Sequence, residues 1–184
     1  SRRGDGFLQI ADVAPGVGSY VDADAAPDDE FQYRATSKSS SCESPPTDPA
    51  VVETLTNAPG DLVVTARDPE LDVAFGDTNQ NEAGYVARAV EPAAPATPAA
   101  VRELPADATA AALDGLAPDT AYDVAVAGTN GSGEGAPATA SAFTLATAPT
   151  DVSATLDGLA LDVAFASSAT HATSFVVSAF DPAN

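Results

Sequence analysis

Residues 116–130 read Leu-Ala-Pro-Asp-Thr-Ala-Tyr-Asp-Val-Ala-Val-Ala-Gly-Thr-Asn, and this stretch decides the interpretation of the whole chain. A Pro-Asp turn leads into a regular alternation, in which Tyr122, Val124 and Val126 share one face. Successive side chains of a β-strand point to opposite sides, so a period of two predicts a half-buried antiparallel strand. Such alternation argues for an all-β chain and against helical or mixed folds.

The start of this stretch resembles the tyrosine corner of fibronectin type III domains. Leu116, Pro118, Thr120 and Tyr122 form the pattern Leu-x-Pro-x-Thr-x-Tyr immediately before the strand. The resemblance implies an antiparallel Greek-key β-sandwich of the fibronectin type III or immunoglobulin type. It also implies that Leu116 and Tyr122 enter the core, that the Tyr122 hydroxyl bonds to nearby backbone, and that Phe75 replaces the tryptophan usual in the family.

Sequence matches at a nearly constant spacing indicate tandem repetition. The motif ending at Tyr122 also occurs 91 residues earlier (122 − 31), where Phe31 takes the corner position without a hydroxyl group. The run Leu-Asp-Val-Ala-Phe occurs twice, ending at Phe75 and at Phe165, 90 residues apart (165 − 75). Several matches in one register are not expected by chance. We therefore expect Phe31 to hold the corner position of Tyr122, and Phe75 and Phe165 to hold equivalent core positions.

We divide the chain into three units of the same fold. Residues 1–55 correspond to the C-terminal part of one sandwich, residues 56–146 to a complete sandwich and residues 147–184 to the N-terminal part of another. Half a sandwich exposes an apolar face and unpaired edges, so we expect the chain to belong to a larger chain or assembly. The alternative is that neighbouring chains complete the partial units by strand complementation.

Short strands are also predicted inside the partial units, from short apolar runs bounded by turn residues. The segments are residues 6–10, 19–21, 50–54 and 161–165, and residues 175–177 match the predicted strand at 84–90.

The charge of the chain is strongly negative. Asp and Glu number 27 against 7 Lys and Arg, for a net charge of -20. These charges are spread between strand-like runs, which indicates an acidic surface on folded domains rather than a disordered tail. The composition resembles that of proteins from salt-in halophiles, especially halophilic archaea. No basic patch is present to meet phosphates and no long apolar run to enter a membrane, so neither nucleic acid nor membrane insertion is expected.

Groups for catalysis are few. The chain has one histidine, His171, and one cysteine, Cys42, which therefore cannot form an intrachain disulfide. Nucleophilic and acid–base catalysis need convergent groups, and abundant carboxylates make any chosen pair uninformative. We therefore expect no enzyme activity and interpret His171 as an ordinary loop residue.

Calcium is the one cofactor that the sequence suggests. The carboxylates of Asp22, Asp24, Asp28 and Asp29 lie close together in the sequence and could supply oxygen ligands to Ca²⁺. The segment lacks the glycine-centred loop of an EF-hand. A solvated acidic turn without a metal is therefore the main expectation.

Three short motifs bear on modification and partners. Asn130 begins an Asn-Gly-Ser sequon, which predicts either N-glycosylation or a hairpin turn, since Asn-Gly is also a strong turn pair. Residues 3–5 spell Arg-Gly-Asp, the adhesion tripeptide of fibronectin, which we interpret here as a polar turn. The Pro/Ala loop at 92–99 is predicted to be an extended spacer, with an O-linked sugar on Thr97 as a further hypothesis.

The resemblance specifies fold better than function, because this sandwich is a general scaffold. We expect a non-catalytic structural or adhesion segment of a halophilic, archaeal-type extracellular assembly. Either a virion tail, fibre, baseplate or decoration protein, or a cell-surface filament or secreted surface protein, fits. Its expected partners are other protein subunits or a host or cell-surface glycan. The alternative is an appendage of a secreted polysaccharide-degrading enzyme whose catalytic domain lies outside this chain.

The charge generates a first prediction. The melting temperature should fall as salt drops below about 1 M, because the Debye length then grows beyond about 3 Å and the charges repel one another. Thermal denaturation across a salt series measures this dependence. A melting temperature that does not change with salt would contradict the halophilic interpretation.

Overall fold

The computed structural model describes residues 6–67 and 69–180, so the Arg-Gly-Asp run at 3–5 lies outside the described residues. The described residues form twelve β-strands. They include no helix of the length and apolar character that crossing a membrane requires. The strands are β1 (Glu30–Tyr33), β2 (Ala50–Glu53), β3 (Gly60–Ala66), β4 (Leu71–Gly76), β5 (Gly84–Val90), β6 (Ala100–Pro105), β7 (Ala110–Leu113), β8 (Ala121–Asn130), β9 (Gly133–Glu134), β10 (Ala138–Phe143), β11 (Thr150–Asp157) and β12 (Ala160–Ala166).

Strands β3 to β10 build a central sandwich of two sheets. One sheet has the order β3-β4-β7, and the other has the order β10-β8-β5-β6 with β9 paired to β8. All of these pairings are antiparallel. The chain crosses from one sheet to the other between β4 and β5, between β6 and β7, and between β7 and β8. The predicted all-β, antiparallel sandwich is confirmed.

The core lies between the two sheets and follows the period of two. Alternate residues of β4 and of the first half of β8 are buried. The rings of Phe75 in β4 and Tyr85 in β5 pack across the sheets, with their centroids 5.1 Å apart. The largest fully buried side chains are Tyr85, Tyr122, Leu71, Leu113, Val73, Val124 and Val126. Burying each aliphatic chain of this size contributes about 1.5–3 kcal/mol.

The turn before β8 is closed by two hydroxyl groups. The hydroxyl of Tyr122, a residue 1% exposed, accepts a hydrogen bond of 3.0 Å from the N–H of Ala117. The hydroxyl of Thr144 donates to the carbonyl of Ala117 at 2.7 Å and accepts from the N–H of Thr120 at 3.0 Å. Leu116 is 4% exposed and belongs to the hydrophobic core.

The β1–β2 hairpin repeats this corner. Thr54 donates its hydroxyl to the carbonyl of Ala26 at 2.8 Å and accepts from the N–H of Asp29 at 3.0 Å. Phe31 is 6% exposed at the position equivalent to Tyr122. The threonine contacts therefore occur in both corners, whereas the tyrosine contact occurs in one.

The β11–β12 hairpin exposes its side chains along both strands. Phe165, which we predicted to lie in a core, is 37% exposed and contacts Phe175 with ring centroids 5.2 Å apart. Its counterpart Phe75 is covered by the second sheet of the central sandwich. No such sheet covers β12 among residues 147–180, and Phe165 is accordingly more exposed than predicted.

Three of the predicted segments are not strands. Residues 6–10, 19–21 and 175–177 have no β-pairing in the described part of the chain. One repeat away in the sequence, these segments correspond to β6, β7 and β5, respectively. In the central sandwich β6 pairs with β5, β7 pairs with β4, and β5 pairs with both β6 and β8. A strand requires a neighbour to satisfy its N–H and C=O groups. Those neighbours have no counterpart in residues 6–55 or 147–180.

The loop at 92–99 also differs from its prediction, since it forms consecutive turns rather than an extended spacer. The N–H of Ala94 bonds to the carbonyl of Glu91 at 2.9 Å, and the N–H of Thr97 bonds to that of Ala94 at 3.3 Å. Because β5 and β6 pair directly, with Ala89 opposite Ala100, the intervening segment must reverse the chain.

Five aspartates among the described residues adopt a left-handed backbone, which Asp tolerates better than most residues. Asp61 and Asp151 (φ 47° and 54°) lie at irregularities of β3 and β11, and Asp28 and Asp119 (φ 57° and 53°) lie in the two corners. Asp107 (φ 60°) lies in the turn between β6 and β7. Some aspartates therefore suit the backbone conformation of their positions, in addition to contributing to the acidic surface.

The corner generates a stability prediction. Tyr122→Phe should lower the free energy of unfolding by about 1–3 kcal/mol, because the N–H of Ala117 loses its acceptor in a partly buried turn. Denaturant titration at constant high salt measures the change. The control Tyr20→Phe removes a hydroxyl from a side chain 50% exposed and should change the free energy by less than about 0.5 kcal/mol. Equal effects of the two changes would contradict the corner's role.

Candidate functional site

Three carboxylates gather at one end of the central sandwich and are called here the carboxylate cluster: Asp77, Glu82 and Asp107. Each offers one oxygen, and these oxygens all lie within 4.8 Å of one another. Asp77 follows β4, Glu82 precedes β5 and Asp107 occupies the turn between β6 and β7. Within residues 6–67 and 69–180, this is the group whose oxygens could jointly hold a hard cation such as Ca²⁺.

Protein donors already occupy part of the cluster. The Tyr85 hydroxyl and the N–H of Asn79 both donate to Oδ1 of Asp77, the latter at 3.1 Å. The N–H of Asp107 donates to Oε1 of Glu82 at 3.3 Å. Oε2 of Glu82 is inaccessible to solvent and has no hydrogen-bond partner among the described residues. The cluster thus combines mutual repulsion with one uncompensated oxygen.

Tyr85 and Asn79 connect this cluster to the segment that enters the sandwich. Burial, together with the hydrogen bond to Asp77, raises the pKa of the Tyr85 hydroxyl well above its usual range, so it remains a donor. The amide nitrogen of Asn79 donates to the Tyr85 oxygen at 3.1 Å. The same side chain accepts from the N–H of Asn57 at 2.8 Å and donates to its carbonyl at 3.2 Å. Asn79 therefore fixes the connecting segment to the core.

The loop between β4 and β5 also holds the preceding hairpin. The carboxylate of Asp28 accepts from the N–H of Gln80 at 2.8 Å and from the N–H of Asn81 at 3.1 Å. Both donors are main-chain groups, so the contact does not depend on the side chains of the loop.

The turn between β8 and β9 also contacts the β1–β2 hairpin. These contacts and those of Asp28 are together called here the first junction. The Asn130 amide donates to the carbonyl of Thr54 at 2.7 Å, and the Ser132 hydroxyl donates to the carbonyl of Glu53 at 2.5 Å. The N–H of Gly131 donates to the Glu53 carboxylate at 3.2 Å. Asn130 is therefore half-buried, with its amide nitrogen engaged. A glycan on that nitrogen would compete with the Thr54 contact, and glycosylation of Asn130 stays a prediction.

The segment between the hairpin and the sandwich passes between two glycines. Thr56 is 2% exposed. A Cβ at Gly128 would lie 2.7 Å from the Thr56 hydroxyl oxygen, and a Cβ at Gly135 would meet both that oxygen and the Thr56 carbonyl. The missing side chains thus allow the connecting segment to lie against β8.

A second junction is centred on Asp119. Its carboxylate accepts from the N–H and hydroxyl of Thr170, the hydroxyl at 2.8 Å, and from the N–H of His171 at 3.1 Å. The hydrogen bond from the Thr170 N–H is the main influence that holds the pKa of Asp119 below its usual value. The centroids of the His171 and Phe143 rings lie 4.8 Å apart. This junction joins the corner before β8 to the segment after β12.

The contacts of His171 give it a positioning role. Its Nδ1 lies 2.9 Å from the carbonyl oxygen of Asp119 and 3.2 Å from the hydroxyl oxygen of Thr170. A catalytic relay uses the two ring nitrogens separately, one toward the nucleophile and one toward the acid. Here the Asp119 carbonyl and the Thr170 hydroxyl both contact Nδ1, so the described contacts do not form a catalytic relay.

The structure distributes the four aspartates considered for calcium over separate contacts. Asp22 accepts from the Tyr33 hydroxyl at 2.9 Å, and Asp28 binds the loop between β4 and β5. Asp24 and Asp29 lie in the same turn-rich segment. The carboxylates that the structure does bring together are those of the cluster at 77–107, which sequence spacing did not indicate. A calcium site at 22–29 stays a prediction.

Known proteins resemble this chain in structure rather than in sequence. No protein-family model matches the chain, and no curated protein matches it. A segment of two fibronectin type III domains from chicken tenascin matches with a TM-score of 0.51 and 19% identity, over 62% of this chain and 65% of that one. The FN1–FN3 domains of chicken CNTN1 match with a TM-score of 0.48 and 22% identity, over 68% of this chain and 46% of that one.

A third match is the fibronectin domain of human collagen XX, with a TM-score of 0.40 and 19% identity over 46% of this chain and 90% of that one. The chain spans about two thirds of the tenascin segment and less than half of the CNTN1 segment. At such identities the likeness to tenascin shows the fold alone. The fold of this chain is all-β and fibronectin type III-like.

The carboxylate cluster generates a prediction. Without divalent cations at low salt, Glu82→Gln should raise the free energy of unfolding by about 1 kcal/mol, because it removes one of three neighbouring like charges. Thermal denaturation in a chelator measures the gain. Glu103→Gln makes the same charge change at an exposed position of β6 and should have less effect.

If the cluster binds Ca²⁺, Glu82→Gln should lower stability in the presence of Ca²⁺ instead of raising it. Added Ca²⁺ would then raise the melting temperature of the unsubstituted chain, and Glu82→Gln would abolish that increase. A loss of stability in Glu82→Gln without any cation would contradict the repulsion argument.

Proposed function

We propose that this chain is a non-catalytic structural or adhesion segment, in which fibronectin type III-like units follow one another in series. The observation that carries the proposal is the equivalence of the two junctions. In each, a corner aspartate binds the main chain that follows the second strand of the next unit. A series of units joined by such contacts suits a spacer that holds binding or anchoring parts apart.

The proposed units are residues 1–55, 56–146 and 147–184, of which the middle one is a complete sandwich. Three internal equivalences support this division. The threonine contacts of the two corners match, the left-handed aspartates of β3 and β11 match, and the two junctions match. The exposed apolar side chains of the β11–β12 hairpin, such as Leu156 and Leu161 at 73% and 70%, support membership of a larger assembly.

We place this assembly outside the cell of a halophilic, archaeal-type host. The net charge of -20 supports this setting, because molar salt screens repulsion that would otherwise oppose folding. Such a spacer would suit either a virion fibre, tail, baseplate or decoration protein, or a cell-surface filament or secreted surface protein. The proposed partners are other protein subunits or a host or cell-surface glycan.

Surface labelling of native material tests the proposal. Antibodies raised against residues 56–146 should label intact producer cells or purified virions kept in their native salt. The native protein that carries this segment should release no reducing sugar from polysaccharides. An antibody against a cytoplasmic protein, which should label only lysed cells, is the control for intactness.

Two results would decide against the proposal. Labelling that requires lysis would exclude an extracellular role. Release of reducing sugar by the native protein would favour the alternative, an appendage of a secreted polysaccharide-degrading enzyme.

A further inference from the structure

Asp28 and Asp119, called here the corner aspartates, occupy equivalent positions 91 residues apart (119 − 28). Both have a left-handed backbone, with φ of 57° and 53°. The N–H of each donates at 2.8 Å to a carbonyl just after the last strand of its own unit, that of Leu55 or Leu145. The N–H of each corner aspartate is therefore bonded within its own unit, whereas its carboxylate accepts from outside that unit.

The acceptor role of the two carboxylates is also equivalent. Asp28 accepts from the N–H groups of Gln80 and Asn81, and Asp119 accepts from those of Thr170 and His171. These donors form pairs of adjacent N–H groups, and the two pairs are 90 residues apart (170 − 80). The side chains of the two pairs differ completely, whereas the main-chain contact is the same.

A carboxylate suits this contact for a physical reason. Hydrogen bonds from N–H groups to an ionised acceptor are shorter and about twice as strong as neutral ones. Two oxygens can accept from two adjacent N–H groups at once. Aspartate also tolerates the left-handed backbone of the corner, which most other residues adopt at a cost.

We propose that the corner aspartate is an interaction surface by which each unit holds the next, its partner being the adjacent N–H pair after the second strand of a following copy. This inference rests on the proposed series of units. The pair is recognised through its main chain, so any copy that presents the same turn fits, whatever its loop sequence. The contact fixes the angle between consecutive units and allows the loop to vary.

Additional contacts at each junction support a fixed angle. In the first, Asn130 and Ser132 bind the carbonyls of Thr54 and Glu53. In the second, the Thr170 hydroxyl adds a bond of 2.8 Å to the carboxylate of Asp119. The corner contact is the element common to both junctions.

Amide hydrogen exchange of the full chain at high salt tests the proposal. Asp28→Asn should accelerate exchange at Gln80 and Asn81 about tenfold and leave Thr170 and His171 unchanged, since one charged hydrogen bond accounts for about that factor. Asp119→Asn should have the converse effect. Asparagine tolerates the left-handed backbone, so both variants should keep the corner folded.

Asp61→Asn is the matched control. It removes the same charge at another left-handed aspartate, φ 47°, within β3. All four junction amides should exchange in this variant as in the unsubstituted chain. The proposal is overturned if either corner variant leaves its own amide pair unchanged, or if Asp61→Asn accelerates the pairs equally.

The two proposals fail in different experiments. Surface labelling together with unchanged amide exchange would overturn the corner contact and leave the extracellular role in place. Altered exchange without surface labelling would overturn the extracellular role and leave the contact in place.

Discussion

The hydroxyl group of one threonine holds the turn on which the rest of the sandwich and its junctions depend. Thr144 is 5% exposed, donates to the Ala117 carbonyl and accepts from the Thr120 N–H. It thereby ties the end of β10 to the turn that starts β8. The turn places Asp119 in a left-handed backbone, with its carboxylate directed at the next segment. Thr54 repeats the arrangement with Ala26, and the corner persists there although Phe31 lacks a hydroxyl group.

The sequence predicted the strands that have partners in the structure, and it was wrong for segments without partners. The resemblance of the motif ending at Tyr122 to a tyrosine corner implied the sandwich, and the alternation after it indicated the core face. The failures at residues 6–10, 19–21 and 175–177 have one cause. Hydrogen bonding in a sheet is a property of pairs of strands, and local sequence describes single strands. The predicted burial of Phe165 was wrong for a related reason. Burial requires a second sheet, and the described residues provide none over β12.

The candidate site was harder to predict than the fold. The carboxylate cluster joins residues at positions 77, 82 and 107, and only the meeting of the β4–β5 loop with the β6–β7 turn brings them together. The junctions were hidden for a different reason, because their donors are main-chain N–H groups that leave no mark on residue identity. The available signal was the 91-residue spacing of the motifs that end at Phe31 and Tyr122, which indicated repetition. The aspartates within those motifs do not stand out in so acidic a chain.

The junctions have unlike sides, since the corner end of one unit meets the loop end of the next. An interface of this heterologous kind does not pair a surface with itself, so it favours addition in one direction over a closed two-fold dimer. In the proposed series each further unit would present a new corner to the one after it. One end of such a series would offer a carboxylate, and the other end would offer N–H groups. Anchoring at one end and binding at the other would then be distinguished by the geometry of the chain alone.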